Sequence, residues 1–324
     1  MIQVSLQLWN DLLTDDPDNW DYRVGYAGAL GDQGLQRMWL GDRNAEAKAS
    51  YEIAKDYLIQ LQTERPGDRR SREILVGVYL SLGVLAHWDG DLQESIEHTS
   101  RGVAVARQLV QDFPTDQDSL RGLTIVLQNL SGFLTESDAR DEAQPVIDEW
   151  FECANKLSQR NPSVIEYLGR FQLASQLKAG NLLEQQDVPG ATSVARLLRE
   201  RIEQTMRLQG THQNLELATY AENARFLEFE CLIEQARYGE AIQIMRDSAF
   251  DPYRFVPDRL HKKTDTDTDV RFLDRCIQDI KWRLRPLCAL ELAVELASQD
   301  SADSSQPPRE LVEKIREFAR RCES

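Results

Sequence analysis

The chain has 324 residues, 41% hydrophobic and 28% charged, a composition that suits a folded protein and excludes wholesale disorder. Its formal net charge of −16 would repel a polyphosphate, so nucleic acid is not expected as a partner. The longest apolar run, Ile74 to Ala86, is too short for a membrane-spanning helix, which needs about 20 residues, so no membrane association is predicted. The N-terminus lacks the features of a secretory signal, and we predict a cytoplasmic protein.

The first residues resemble the end of a helix whose partner helix is missing. Val4, Leu8, Leu12 and Leu13 recur at helical spacing before Pro17. They match the second helix of the repeat unit described below, which leaves an apolar face unburied. Either a later segment folds over this face, or the chain belongs to something longer.

Prolines recur at a nearly constant interval along the chain. Pro17, Pro66, Pro114 and Pro162 are separated by 49, 48 and 48 residues, and Gly210 follows 48 residues later. Because proline cannot continue a helix, each proline marks a boundary between helical units. The sequence therefore predicts a repeat of about 48 residues.

Further positions recur inside each unit. A small residue, which would let two helices approach closely, follows each boundary by 17 positions: Gly34, Gly83, Ser131 and Ala179. A polar turn comes next: Gly41-Asp42, Gly90-Asp91 and Ser137-Asp138. A second helix then opens with an acidic residue and a small one: Glu46-Ala47, Glu94-Ser95, Glu142-Ala143 and Glu240-Ala241. An acid in the first turn suits the helix macrodipole, so each unit is predicted to be a helical hairpin.

This pattern resembles the tetratricopeptide (TPR) repeat. Leu82-Gly83 matches the motif of its first helix, and Ala47, Tyr51 and Ala54 match the small and aromatic positions of its second helix. The usual TPR period is about 34 residues, so these hairpins would be longer than usual. Lengthened units of this kind are similar to those behind the catalytic domain of some bacterial serine/threonine protein kinases. The resemblance covers roughly residues 1–250.

The resemblance implies an all-α fold, a right-handed α-solenoid of about five antiparallel hairpins with C-terminal capping helices. Residues 1–255 are predicted to form the repeat array. Residues 256–298 would form a linker and a capping helix. Residues 299–324 would form a Ser-rich linker and a terminal amphipathic helix, which either docks on the body or is itself a partner motif.

The sequence offers no recognisable catalytic or metal-binding motif. Kinase chemistry would need a glycine-rich phosphate loop and aspartates in their catalytic and metal-binding motifs, and these are missing. Lys262 to Asp269 alternates aspartates like a calcium loop, but Val270 stands where the turn needs glycine and Cys276 where the closing glutamate is required. We therefore predict a protein that is not an enzyme and holds neither a cofactor nor a metal.

Glycines and cysteines are predicted to serve packing. Gly25, Gly28, Gly31 and Gly34 recur every three residues along one side of a helix, which favours close packing over phosphate binding. The cysteines are odd in number and far apart, so they are expected to be small buried hydrophobic residues. They are Cys153, Cys231, Cys276, Cys288 and Cys322.

In the family that the pattern resembles, the first helices line a concave groove that holds a protein or peptide. The carboxylate-clamp mode of that family is not expected here, because the corresponding turns carry apolar and amide side chains. The predicted partner-binding residues are Trp39, Leu80, Val84, His87, Gln128, Asn129 and Gln176. The pairs Met38-Trp39 and His87-Trp88 have an alternative interpretation, packing under the turn of the hairpin.

Three functions are compatible with these features. The first is a noncatalytic protein–protein interaction scaffold whose partner is a protein or peptide. The second is a regulatory or substrate-docking segment of a larger serine/threonine protein kinase, for which the incomplete first unit is the motive. The third is an α-helical enzyme with an unrecognised site.

Overall fold

The computed structural model describes residues 2–40, 44–209 and 215–235, together with residues 237 and 240. All regular secondary structure in these residues is helical, which confirms the predicted all-α class. The chain divides into two compact units, residues 1–185 and residues 186–324. The boundary falls between the two helices that the sequence assigns to the fourth hairpin.

Unit 1 contains eight described helices, which form hairpins that stack one after another. They are α1 (Ile2–Asp15), α2 (Trp20–Trp39), α3 (Asn44–Glu64), α4 (Arg69–Trp88), α5 (Leu92–Asp112), α6 (Gln117–Glu136), α7 (Arg140–Arg160) and α8 (Ile165–Glu184). Consecutive helices pack on each other, and α4 also contacts α2 and α6. This is the contact pattern of an α-solenoid. Its handedness and its concavity stay predictions.

The hairpin helices have nearly constant lengths. The first helix of each hairpin, called the A helix (α2, α4, α6 and α8), has 20 residues. The second, called the B helix (α3, α5 and α7), has 21 residues. In unit 2, α9 (Val188–Gln209) and α10 (Leu215–Glu234) pack against each other. The helical repeat predicted from the sequence is thus confirmed.

The predicted boundary prolines coincide with helix ends. The helices α1, α3, α5 and α7 each end two residues before one of them: Pro17, Pro66, Pro114 and Pro162. The A helices that follow begin at N-caps, and Asp68 and Asp116 each accept a hydrogen bond from the backbone N–H three residues later, at 2.8 and 2.7 Å. The repeat is therefore set by proline and capping chemistry that the sequence shows directly.

The small residues of the A helices lie where the helices of a hairpin touch. A Cβ at Gly34 would lie 2.8 Å from the Tyr51 ring, and one at Gly83 would collide with Thr99. Tyr51 is buried. Glycine therefore lets the B helix approach the A helix backbone, as the sequence predicted. Gly25 serves α1 in the same way, because its Cβ would lie 2.6 Å from the Trp9 ring.

The helix α1 packs on α2 but leaves one face uncovered among the described residues. Its exposed apolar side chains are Val4, Leu8 and Leu12, one turn apart from each other. Leu13, the fourth residue that the sequence assigned to this face, is half-buried.

Two cysteines fall within the described residues, and both are packing residues. Cys153 and Cys231 are buried free thiols. Burial raises the pKa of each thiol to about 11, which keeps it protonated and unreactive at neutral pH. None of the described helices is both long and apolar enough to cross a membrane.

Several predictions lie outside the described residues. They concern the Gly41-Asp42 turn, Gly210, Ala241, the loop at 262–269, the capping helix and linkers within 256–298, the terminal segment 299–324, and Cys276, Cys288 and Cys322.

Candidate functional site

The A helices of unit 1 share one face that remains at least partly exposed. Their buried side chains, such as Leu82 and Leu127, point into the hairpin interior, while positions three and four residues apart on the other side stay open to solvent. The A-helix face is defined by Leu35, Trp39, Leu80, Val84, Trp88, Gln128, Asn129, Glu136, Gln176 and Glu184. It carries apolar, amide and acidic groups together.

The definition of this face includes all the predicted partner-binding residues except His87. Leu80 and Val84 lie one turn apart on α4 and are half-buried. The half-buried amides are Gln128 and Asn129 on α6 and Gln176 on α8. Trp39, at the end of α2, is 82% exposed, which contradicts the alternative interpretation that it packs under the turn.

His87 is held between two helices. Its Nε2 lies 2.7 Å from Oε2 of Glu136, and its ring stacks on Phe133 with centroids 4.9 Å apart. These contacts link α4 to α6. The neighbouring Trp88, which the sequence analysis named with His87 but did not include among the predicted partner-binding residues, is 55% exposed. Its signal was its position, because Trp88 lies 49 residues after Trp39, at the equivalent place of the next hairpin.

Arg170 is a second residue that sequence reasoning missed. Its Nη1 donates to Oε1 of Gln128 at 3.2 Å, and its Nη2 donates to Glu166 at 3.0 Å. Glu166 also accepts from Arg121 of α6 at 3.2 Å. Burial alone would raise the pKa of Glu166, but the hydrogen bonds from Arg170 and Arg121 lower it below its usual value. This network fixes the amide of Gln128 at the junction of α6 and α8.

The last residues of the four A helices form a row at one end of the A-helix face. Trp39, Trp88, Glu136 and Glu184 end α2, α4, α6 and α8 in turn. All four are exposed. We call this row the turn column, since it lies where each A helix meets the turn of its hairpin.

Another possible site is an open cavity of about 340 Å³ between α1 and α2. It is lined by Leu6, Gln7, Asn10, Tyr26 and Gln33. These groups offer hydrogen bonds but no acid and base side by side. Among the described residues, no group of three or more His, Cys, Asp or Glu side chains is arranged to hold a metal ion.

A cluster of charged groups on the B helices has a structural role. Buried His98 of α5 lies 3.4 Å from Glu94 and 4.0 Å from Glu52 of α3. Lys48 Nζ donates to Glu94 at 2.8 Å, and this hydrogen bond lowers the pKa of Glu94 and raises that of Lys48. The cluster links α3 to α5, and so joins one hairpin to the next.

Comparisons with known proteins give fold similarities of low sequence identity. No protein-family model matches the chain. No curated protein matches it either. The solved structure of BtubC (BKLC) from P. vanneervenii aligns with 76% of this chain and 86% of its own, at 12% identity and a TM-score of 0.49.

Two further solved structures are similar to the chain. The apo form of RapI aligns with 98% of this chain and 79% of its own, at 11% identity and a TM-score of 0.49. TTC0263, described as a thermophilic TPR protein in Thermus thermophilus, aligns with 78% of this chain and 99% of its own, at 15% identity and a TM-score of 0.36. The solved structures similar to this chain thus include a TPR protein.

Proposed function

We propose that the protein is a noncatalytic interaction scaffold that binds a protein or peptide on the A-helix face of unit 1. The observation that carries the proposal is the exposure of this face, above all of Trp39 at 82%. Large aromatic side chains are normally at least partly covered in a folded protein, and tryptophan is enriched among the residues that dominate binding energy.

The other residues of the A-helix face favour recognition of a protein chain. Leu80 and Val84 supply half-buried apolar surface, and Gln128 and Asn129 supply amide groups beside it. Such a mixture can bury a partner's apolar side chains while it satisfies the polar groups of its backbone. The stacked helices keep the face in shape before a partner arrives, which lowers the entropy cost of binding.

A charge-insertion experiment tests the face. The variant Leu80→Glu with Gln128→Glu places two carboxylates in the middle of the A-helix face. Proteins that cross-link to the wild-type chain in its native cells are identified by mass spectrometry. We expect those partners to lose at least tenfold in affinity, because the partner would bury the carboxylate at position 80 against apolar surface without a counter-charge, while the one at position 128 would lie beside Arg170.

The matched control is Ile53→Glu with Gln108→Glu, the same kind of change at exposed positions of α3 and α5. It should leave binding unchanged. Both variants must retain the far-ultraviolet circular dichroism of the wild type. If every partner of the wild type still binds Leu80→Glu with Gln128→Glu at full affinity, the proposed face is wrong.

The alternative function, a regulatory or substrate-docking segment of a larger serine/threonine protein kinase, stays a prediction. The genomic sequence upstream of Met1 tests it. A kinase reading frame continuous with this chain would favour it over a separate scaffold.

A further inference from the structure

We infer that the turn column is a docking surface for a basic segment of the protein partner. The occupant is an extended stretch of chain whose arginine or lysine side chains meet Trp39, Trp88, Glu136 and Glu184 in turn. The inference rests on the proposed function, because both place a protein partner on the A-helix face. Beyond that function, the inference states that the bound segment of the partner is positively charged.

The column joins two kinds of exposed side chain. Its first half is the indoles of Trp39 and Trp88, which are 82% and 55% exposed. Its second half is the carboxylates of Glu136 and Glu184, whose side chains are 59% and 66% exposed. Since the four residues occupy equivalent places in hairpins that follow one another, one extended segment can cross all of them.

A cation is the group that both halves attract. The face of an indole attracts lysine and arginine through its quadrupole, and a carboxylate attracts them as an ion pair. An acidic segment would be repelled by the glutamates, and a neutral apolar segment would leave them without a partner. Leu35 and Leu40, also exposed, lie beside Trp39 and can take the apolar stem of a basic side chain.

The helix ends add to this preference. Each residue of the column lies at the C-terminus of an A helix, where the negative end of the macrodipole favours a cation. The last turn of α2 contains Arg37 and that of α4 contains His87. The last turns of α6 and α8, both within the described residues, contain no basic residue. A partner's cation would be most stabilised there.

Side chains of the chain itself already pair with two residues of the column. Glu136 accepts from His87 at 2.7 Å, and Glu184 lies 3.1 Å from Nη1 of Arg140. Pairs at the protein surface contribute little to stability, so a partner can displace them. Asp89, next to Trp88, and Asp138, next to the end of α6, add negative charge at the turns. The whole chain has a net charge of −16, which favours a basic partner further.

The spacing of the column predicts a pattern in the partner. Packed helices are about 8–10 Å apart, and a chain in the extended polyproline II conformation advances about 3.1 Å per residue with three residues per turn, so every third side chain points the same way. A side chain on every third residue would therefore meet successive A helices. We expect the bound segment to carry arginine or lysine at that interval.

Labelled peptides test the inference on the full-length protein by fluorescence anisotropy. The first probe is an unstructured peptide with arginine at every third position among serine and leucine. The second has citrulline in place of arginine, and the third has glutamate. We expect the arginine peptide to bind most tightly and its affinity to fall with added salt. Equal or tighter binding of the citrulline or the glutamate peptide would overturn the inference.

Substitutions in the column locate the binding. Trp39→Ala and Trp88→Ala should each weaken binding of the arginine peptide by about 2- to 30-fold, the range of one cation–π contact, and Trp88→Phe should retain part of it. Ile53→Ala, an exposed apolar truncation on α3, should change nothing. If the variant that lacks both indoles binds the arginine peptide as tightly as the wild type, the column is not the site.

The two proposals can fail separately. The peptide assay reports on the turn column alone, whereas the variant Leu80→Glu with Gln128→Glu reports on the middle of the A-helix face. If that variant loses its native partners while the wild type shows no preference for the arginine peptide, the proposed function stands. The inference that the partner segment is basic is then wrong.

Discussion

At the fourth position of each A helix of unit 1, the first two hairpins carry an arginine and the next two a leucine. Arg23 forms a bidentate pair with Glu64, with N–O distances of 2.5 and 2.6 Å. Arg72, only 3% exposed, pairs with Asp112 at 2.7 Å. In both hairpins the carboxylate is the last residue of the B helix.

The third hairpin changes both members of the pair. Leu120 is buried at the A-helix position, and Arg160 ends the B helix, where its guanidinium donates to the carbonyl of Pro114 at 3.2 Å. A buried arginine with a solvent-exposed carboxylate partner and a buried leucine thus occupy the same place in one fold. This agrees with the general finding that apolar residues can replace an ion pair at little cost, provided that no single buried charge is left behind.

The sharpest test of this comparison returns a charge to the third hairpin. Leu120→Arg would bury a guanidinium in a hairpin whose B helix ends in Arg160 instead of an acid. We expect the free energy of unfolding, measured in urea, to fall by about 3–5 kcal/mol, the cost of an uncompensated buried charge.

Two further variants complete this test. Leu120→Arg combined with Arg160→Glu rebuilds the pair of the second hairpin and should recover more than half of the loss. Arg72→Leu combined with Asp112→Arg converts the second hairpin to the chemistry of the third and should change stability by less than about 1.5 kcal/mol. If Leu120→Arg alone is tolerated, the two hairpins are not equivalent at this position.

A second test concerns the residue at which the A and B helices of a hairpin approach closely. This residue also differs between the hairpins of unit 1. The early hairpins have Gly34 and Gly83 at the contact, whereas the third has Ser131. Gly34→Ala would place its Cβ 2.8 Å from the buried Tyr51 ring. We expect a loss of about 1–3 kcal/mol from overpacking, even though alanine favours the helix.

The matched control for Gly34→Ala is Gly77→Ala on α4. A Cβ at Gly77 would meet no other atom within 4 Å. Without a collision, alanine should stabilise the helix by about 0.5–1 kcal/mol. Thermal unfolding of both variants checks the pair, and a stabilised Gly34→Ala would show that the Tyr51 ring can move aside freely.

Local chemistry made most of the fold predictable. Proline removes a helix hydrogen bond and is rare beyond the first turn, so the evenly spaced Pro66 and Pro114 located boundaries without any tertiary information, although Pro145 lies within α7. The small residues at Gly34 and Gly83 were predictable because every hairpin needs the same close contact. The repeat multiplied these weak signals, since each was seen several times at the same interval.

The site was less predictable because it depends on how each helix is rotated about its axis and on contacts that do not repeat. Adjacent residues of a helix differ by about 100° in direction, so the sequence alone did not decide whether His87 or Trp88 faces solvent. The hydrogen bond from Arg170 to Gln128 joins two hairpins and has no counterpart in the earlier hairpins of unit 1, because the equivalent positions hold Gly25, Ile74 and Gly122. A repeat pattern cannot show what occurs once.

The smallest effect is expected at the N-caps, where the last A helix again differs from the earlier ones. Asp68 caps α4, whereas Val164 stands at the same place before α8 and has no side-chain oxygen. Burial alone would raise the pKa of Asp68, but hydrogen bonds from Ser71 and Trp20 bring it below its usual value. Asp68→Ala should cost about 1 kcal/mol at neutral pH.

The sign of the pH dependence follows from the lowered pKa of Asp68. The folded chain binds the proton less readily than the unfolded chain, so the cap stabilises fully above the unfolded pKa of about 3.9 and is lost as the pH falls through the folded pKa. The stability difference between the wild type and Asp68→Ala should therefore be constant near neutral pH and shrink below about pH 4. A difference that grows in acid would contradict this assignment.

The reverse change supplies a cap where the last A helix has none. Val164→Asp and Val164→Asn should each raise the free energy of unfolding by about 0.5–1 kcal/mol at pH 7, because either side chain can accept from the first turn of α8. Only the aspartate titrates, so its advantage should decline below about pH 4 while that of the asparagine persists. Urea unfolding at pH 7 and pH 3 separates the two. If neither variant gains stability, packing of Val164, which is half-buried, outweighs the cap, and the late hairpin differs from the early ones in more than its capping residue.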